Sequence, residues 1–150
     1  MSKAMEIRGH GGRVRIEVYK YERQETSNLD DSNWVVTQCT VNVGEFSCVL
    51  NLSLVTSDFV RFAAQLEEGV RSLQGSAEFT TLEEGIRLEV TFTSAGHAHL
   101  IGRARSQVAL VPDQTTLSFS FETDQSFLAQ TLQELKGVME QFPTRRPSSR

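Results

Sequence analysis

Apolar residues recur at every second position along several segments of this chain, and this pattern restricts its fold more than any other feature. In the first segment, residues 12–19, one side carries Val14, Ile16 and Val18. Successive side chains of a strand point to opposite faces, so a period of two predicts a strand with one buried face. By the same criterion, further strands are predicted at residues 34–43, 46–54, 77–81, 86–92, 97–110 and 117–121.

Two segments change to helical spacing, and each directly follows an apolar strand. Thr56-Ser57-Asp58 and Thr123-Asp124 supply residues that favour helix N-termini. The apolar stripes that follow contain Phe59, Ala63, Leu66, Val70 and Leu73, and then Leu128, Leu132, Leu135, Met139 and Phe142. We therefore predict an α+β fold: a curved, mainly antiparallel sheet of about eight strands with two helices packed on one face. The same order would suit two β-rich halves that each end in a helix.

Length and composition predict one globular domain. A chain of 150 residues with 39% apolar and 23% charged residues is long enough to bury a core. No apolar run approaches the roughly 20 residues that cross a bilayer, and the N-terminus has no signal-peptide pattern. We expect a soluble, cytoplasmic α+β domain over residues 1–143 and a flexible basic tail over residues 144–150.

Charge favours a protein partner over nucleic acid. The net charge is −4, and residues 24–102 carry three basic and eleven acidic side chains. Nucleic-acid binding requires a basic surface, whereas an acidic segment favours a basic protein. We expect neither nucleic-acid nor membrane binding, and the sequence leaves the oligomeric state open.

The two cysteines lie on neighbouring predicted strands. A turn at Val43-Gly44 would place Cys39 opposite Cys48 on the buried side of a hairpin. In a reducing cytoplasm two buried thiols are expected, although the pattern leaves their redox state undecided.

His97 and His99 could hold a metal ion, since alternate residues of a strand point to the same side. Arg103 and Arg105 share that face and would repel a cation, which favours an alternative: an exposed, partner-binding sheet face. No P-loop, G-x-G-x-x-G or G-x-S-x-G motif is present, so we predict no catalytic residue and no cofactor.

The segment before the second predicted strand is a further candidate binding site. Asp30 and Asp31 form an acidic loop directly ahead of Trp34, the only tryptophan. The carboxylates could act as an acid and a base or bind a divalent ion. Tryptophan is enriched at the centres of protein interfaces, which favours partner binding for this group.

Several short segments together resemble the WapI-type bacterial immunity proteins. They are Asp31-Ser32-Asn33-Trp34, Thr81-Leu82-Glu83 before Ile86-Arg87-Leu88, Gly96-His97, and residues 119–128 before a helix that ends at Phe142-Pro143. The resemblance runs from Gly12 to Arg145. It implies a cytosolic, non-enzymatic protein that binds and neutralises a cognate toxin domain, and it supplies no catalytic residues.

Three hypotheses follow from the sequence. The first is a binding protein of the immunity type, whose partner contacts are Asp30, Asp31, Trp34, His97, His99, Arg103 and Arg105. The second is a small metal-dependent enzyme or metal-binding protein that uses His97 and His99. The third is a structural or assembly subunit that associates through an exposed sheet edge.

Overall fold

The structure is a computed structural model that describes residues 1–23, 32–107 and 115–146. Over these residues the chain forms eight antiparallel strands and two helices. Sheet A contains, in spatial order, β1 (Lys3–Gly9), β2 (Gly12–Tyr21), β3 (Trp34–Val43) and β4 (Phe46–Val55). Sheet B contains β5 (Ser76–Phe79), β6 (Ile86–Phe92), β7 (His97–Arg105) and β8 (Thr116–Asp124). Helix α1 (Thr56–Ser72) follows sheet A, and α2 (Gln125–Gln141) follows sheet B.

The predicted α+β class, with antiparallel strands and two halves that each end in a helix, is confirmed. The strands divide between two sheets of four, because α1 follows β4 directly and carries the chain away before the next strand begins. No helix among the described residues is both long and apolar enough to cross a bilayer.

β1 is a strand that the sequence analysis did not assign. Its buried side carries Met5 and Ile7, which pair in register with Ile16 and Val14 of β2 and are fully buried. Two apolar positions near a charged N-terminus are too few to establish a period of two, so β1 becomes evident only through its pairing with β2.

The inner faces of both sheets and the apolar sides of both helices form one hydrophobic core. Phe121 of β8 lies where the sheets meet, packed against the β1–β2 hairpin. A Cβ atom added to Gly12 would lie 2.1 Å from the Phe121 ring, and one added to Gly9 would lie 2.2 Å from the carbonyl oxygen of Glu122. The backbone N–H of His10 donates to that carbonyl at 2.8 Å. Glycine is therefore required at this junction for close approach.

Each helix packs beside an edge strand of the sheet in the other half. On α2, Glu134 Oε1 accepts from the Glu6 N–H at 2.8 Å, and Thr131 Oγ1 donates to the Glu6 carbonyl at 2.6 Å. On α1, Gln65 Oε1 accepts from the Glu78 N–H at 2.8 Å. The helices thus satisfy backbone groups of β1 and β5 that would otherwise be open to strand addition.

β4 is the other edge strand of sheet A. In the part of the chain that the structure describes it pairs on one side only, with β3. Phe46 and Val49 on β4 are 68% and 57% exposed. The hypothesis of assembly through an exposed sheet edge therefore has a definite candidate strand, and it stays a prediction.

The β3–β4 register differs from the expected one by two residues. Val43 pairs with Phe46 around a two-residue loop, so Cys39 lies opposite Leu50, and Cys48 lies opposite Val41. Cys39 and Cys48 are diagonal neighbours with free thiols. Burial raises the pKa of the Cys39 thiol to about 12, which keeps it neutral and unreactive at neutral pH.

Both helix N-termini use the acidic residues that the sequence singled out. Asp124 caps α2 by accepting from the Phe127 N–H at 3.0 Å, as expected. In α1 the helix already begins at Thr56, and Asp58 reaches back to accept from the Val55 N–H at 3.1 Å.

The ends of two predicted segments fall partly outside the described residues. β7 ends at Arg105, and residues 108–110 of the predicted strand lie outside. Residues 147–150 of the predicted tail also lie outside. Within the tail, the Arg145 N–H donates to Asn33 Oδ1 at 2.7 Å, and its guanidinium lies 3.7 Å from the centroid of the Tyr21 ring.

The two helix-interior glycines lead to a first prediction. A Cβ added to Gly69 in α1 would lie 2.3 Å from the Phe92 ring, whereas one added to Gly137 in α2 meets nothing within 4 Å. Gly69→Ala is expected to lower the free energy of unfolding by about 1–3 kcal/mol through overpacking. Gly137→Ala is expected to raise it by about 0.5–1 kcal/mol, because alanine is the better helix former.

Urea unfolding measures the free energy of unfolding of both variants, which should change in opposite directions. Each variant is therefore the control for the other. A stabilising Gly69→Ala would show that α1 does not pack closely on Phe92.

Candidate protein-binding surface

One side of sheet B faces away from the core. Its side chains are exposed or half-buried and alternate with the buried ones along each strand. We call this side the open face of sheet B. It consists of Arg87, Glu89, Thr91, His97, His99, Ile101, Arg103, Arg105, Ser118, Ser120 and Glu122.

The histidines lie at one end of this face. His99 pairs with Glu122, with Nδ1 2.9 Å from Oε1, and His97 lies opposite Asp124 in the register. Within residues 1–23, 32–107 and 115–146, no group of three or more His, Cys, Asp and Glu side chains is placed to hold a metal ion. The pair that the structure does form, a histidine and a carboxylate on an exposed strand, is an ordinary cross-strand contact.

Arginines occupy the other end. Arg87 lies directly opposite Arg103 on the paired strand, and Arg105 follows two residues later on the same side. A cavity of about 70 Å³ between them is lined also by Glu84 and Thr116. Glu89 lies opposite Ile101, and in the described structure it forms no ion pair with Arg103.

A groove lies at the N-terminus of α1, beside Trp34. We call it the Trp34 groove; its volume is about 450 Å³ and its lining is Trp34, Val55, Ser57, Asp58, Arg61, Thr80, Thr81 and Leu82. Leu82 is 75% exposed, whereas Asp58 is almost fully buried. Burial raises the pKa of the Asp58 carboxyl. The hydrogen bond from the Val55 N–H and the Arg61 guanidinium at 2.9 Å favour the charged form, but their effect is smaller than that of burial.

The loop over residues 80–85 connects the Trp34 groove to the arginines. Its Leu82 lines the groove, and its Glu83 lines a second depression that also contains Trp34. On the other side, Arg105 Nη2 donates to the Glu83 carbonyl at 2.8 Å. Trp34, Arg103 and Arg105 therefore lie on the two sides of one loop.

The remaining predicted contacts are placed differently. His97 and His99 lie at the far end of the open face, away from that loop. Asp30 and Asp31 lie outside the described residues. The sequence analysis did not single out Leu82 or Arg61 as contacts. Leu82, an apolar residue between Thr80-Thr81 and Glu83-Glu84, could have been found as an unpaired apolar side chain in a polar turn.

The chain matches a known protein family over most of its length. Residues 5–143 match the immunity protein WapI-like family. The chain belongs to the WapI-like immunity protein family. The resemblance inferred from short segments is thereby confirmed, and in this WapI-like protein the match begins within β1 and ends just after α2.

Other comparisons add little to this assignment. No curated protein matches this WapI-like chain. One solved structure, described as crystal structures of Trypanosoma brucei MRP1/MRP2, shares 14% sequence identity with it and covers 93% of this chain and 84% of that chain. The TM-score of that pair is 0.48.

Proposed function

We propose that the protein binds a cognate toxin domain and neutralises it by occupying its surface, without catalysis. The observation that carries the proposal is the match to an immunity protein family over residues 5–143, nearly the whole chain. In this proposal the partner contacts the open face of sheet B and the Trp34 groove.

The residue composition of these two regions supports their assignment as the partner-binding surface. Tryptophan and arginine are enriched among the residues that dominate binding energy at interfaces, and here Trp34 and the arginines lie on two sides of one loop. Apolar side chains are exposed beside them: Leu82 at 75% and Ile101 at 50%. A few apolar anchors within a polar rim are the usual composition of a non-obligate interface.

Charge supports a basic partner overall. The net charge of −4 arises from residues 24–102, where eleven acidic side chains outnumber three basic ones and include Glu83 and Glu84 of the loop beside the groove. Opposite net charges on two proteins accelerate their encounter and make the rate fall with salt. A toxin domain with a basic surface, such as a nuclease, fits this requirement.

Co-expression tests the proposal directly. The polypeptide encoded immediately beside this protein is expressed alone and together with it, and growth is followed while the two are co-purified. We expect toxicity from the neighbour alone, restored growth in the pair, and a stable complex with 1:1 stoichiometry. A harmless neighbour that forms no complex would contradict the proposal for that pair.

A further inference from the structure

We infer that Arg87, Arg103 and Arg105 form a binding site for a carboxylate, and that in the complex an acidic side chain of the partner protein occupies it. That the occupant comes from a partner rests on the proposed function. The site itself can be measured on the isolated chain with a small carboxylate.

The first observation is the register of the sheet. Arg87 and Arg103 are directly opposite on β6 and β7, and Arg105 shares their side. Like charges directly opposite on paired strands destabilise a sheet, and a negative group beside the two guanidinium groups offsets this cost.

The second observation is a contrast with sheet A. On its outer side, Arg8 has Glu6 and Glu134 at 2.9 Å, and Arg15 has Glu6 at 2.9 Å and Glu17 at 3.3 Å. Those arginines are neutralised within the chain, and hydrogen bonds to the glutamates raise their pKa values.

On sheet B, Arg87 is paired with Glu78 at 3.4 Å, but Arg103 and Arg105 are not compensated in this way. In the described part of the chain, Arg103 has no carboxylate within 4.0 Å. Arg105 donates from Nη2 to a carbonyl, but its Nε is buried and has no hydrogen-bond partner among the described residues. The guanidinium donors of Arg103 are thus available for an external acceptor, and in this part of the chain the Arg105 Nε lacks an acceptor at the inner side of the site.

The third observation is the space between them. The cavity of about 70 Å³ is lined by all three guanidinium side chains and by Thr116. A water molecule occupies roughly 30 Å³ of liquid, so the cavity has room for a group as small as a carboxylate. Arginine binds carboxylates through paired N–H donors, which adds orientation to the attraction of charge.

The charges around the cavity favour a singly charged anion over a doubly charged one. Glu84 lines the same cavity, and Glu89 lines an adjoining depression with Arg87 and Arg103. Glu78 lies 3.4 Å from Arg87, so three glutamates surround the three arginines, and a singly charged carboxylate adds the least further negative charge. A phosphate dianion would bring excess negative charge close to Glu84 and Glu89.

The test is an NMR titration of the isolated protein, which follows the arginine Nε–Hε resonances at pH 6.5 and constant ionic strength. Sodium acetate and sodium phosphate are the two probes, and sodium chloride is the reference. We expect saturable shifts of the Arg87, Arg103 and Arg105 resonances with acetate, and no tighter binding of phosphate. Arg103→Gln should weaken acetate binding at least about tenfold, because charge-assisted hydrogen bonds supply most of the attraction.

Arg13→Gln is the matched control, since Arg13 is an exposed arginine on sheet A that lies opposite Arg8. It should leave the acetate titration unchanged. Shifts that do not saturate with either probe, or that survive Arg103→Gln, would overturn the site. Phosphate binding tenfold tighter than acetate would overturn the carboxylate assignment. None of these outcomes depends on whether the neighbouring polypeptide is toxic, so the two proposals fail separately.

Discussion

Phe121→Ala is expected to lower the free energy of unfolding by about 3–5 kcal/mol, the usual cost of removing a buried phenylalanine ring. Phe121 belongs to β8 in sheet B, is 5% exposed, and packs on Gly9 and Gly12 of the β1–β2 hairpin in sheet A. Glycine has no side chain that could move into the vacated space, so the cavity should stay largely open. Urea unfolding at 25 °C, followed by Trp34 fluorescence and by circular dichroism, measures the loss.

Phe46→Ala is the matched control for this experiment. Phe46 is also a strand phenylalanine, but it is 68% exposed on β4, so its removal should change stability by less than about 0.5 kcal/mol. If Phe121→Ala costs no more than Phe46→Ala, the two sheets do not depend on this contact. Non-coincident transitions by the two probes would indicate that the sheets unfold separately.

The β1–β2 junction also shows where sequence reasoning ends. Alternation along β6, β7 and β8 predicted which side chains are buried, and Val90, Leu100 and Phe121 are indeed buried. Alternation does not say which strands pair, because it reports only the two faces of each strand. The way the two sheets pack together depends on contacts between residues more than 100 positions apart, such as Thr123 Oγ1 with the Arg8 carbonyl.

The hairpin that contains the cysteines gives a second example. The positions of β3 and β4 were predicted correctly, yet the register predicted from a Val43-Gly44 turn was wrong because the loop is Gly44-Glu45. Gly44 has a φ of 58°, and the loop contains Glu45 as well. A shift of the loop by one residue along the chain moves the pairing by two residues and replaces a direct Cys39–Cys48 pair with a diagonal one.

The candidate surface was predictable only in part, because alternation reports the face of a side chain and not its tertiary neighbours. The period of two places His97, His99, Arg103 and Arg105 on one side of β7, and the structure bears this out. The Trp34 groove was not predictable, because β3, α1 and the loop over residues 80–85 form it together. Their meeting depends on tertiary contacts such as that of Arg61 Nη2 with the Thr80 carbonyl at 3.1 Å.

Trp34→Ala is expected to weaken the complex with the toxin domain by about 2 kcal/mol or more, a loss of roughly 30-fold in affinity. Trp34 is half-buried and lines two adjoining depressions, so a partner side chain placed there would be largely removed from water. Isothermal titration calorimetry with the toxin domain found by co-expression measures the effect. Circular dichroism of the free variant shows whether the fold is retained.

Two further variants distinguish a binding role from a structural one. Leu82→Ala changes the same groove at a side chain that is 75% exposed, so it should reduce affinity by roughly 5–10-fold and leave stability nearly unchanged. Tyr19→Ala removes an aromatic ring that is 40% exposed on sheet A, and it should bind as the unmodified protein does. If Tyr19→Ala loses affinity while Trp34→Ala and Leu82→Ala keep it, the partner binds sheet A, and the open face of sheet B is not the interface. Loss with both Trp34→Ala and Leu82→Ala, at unchanged stability of the latter, is explained only by contact at the groove.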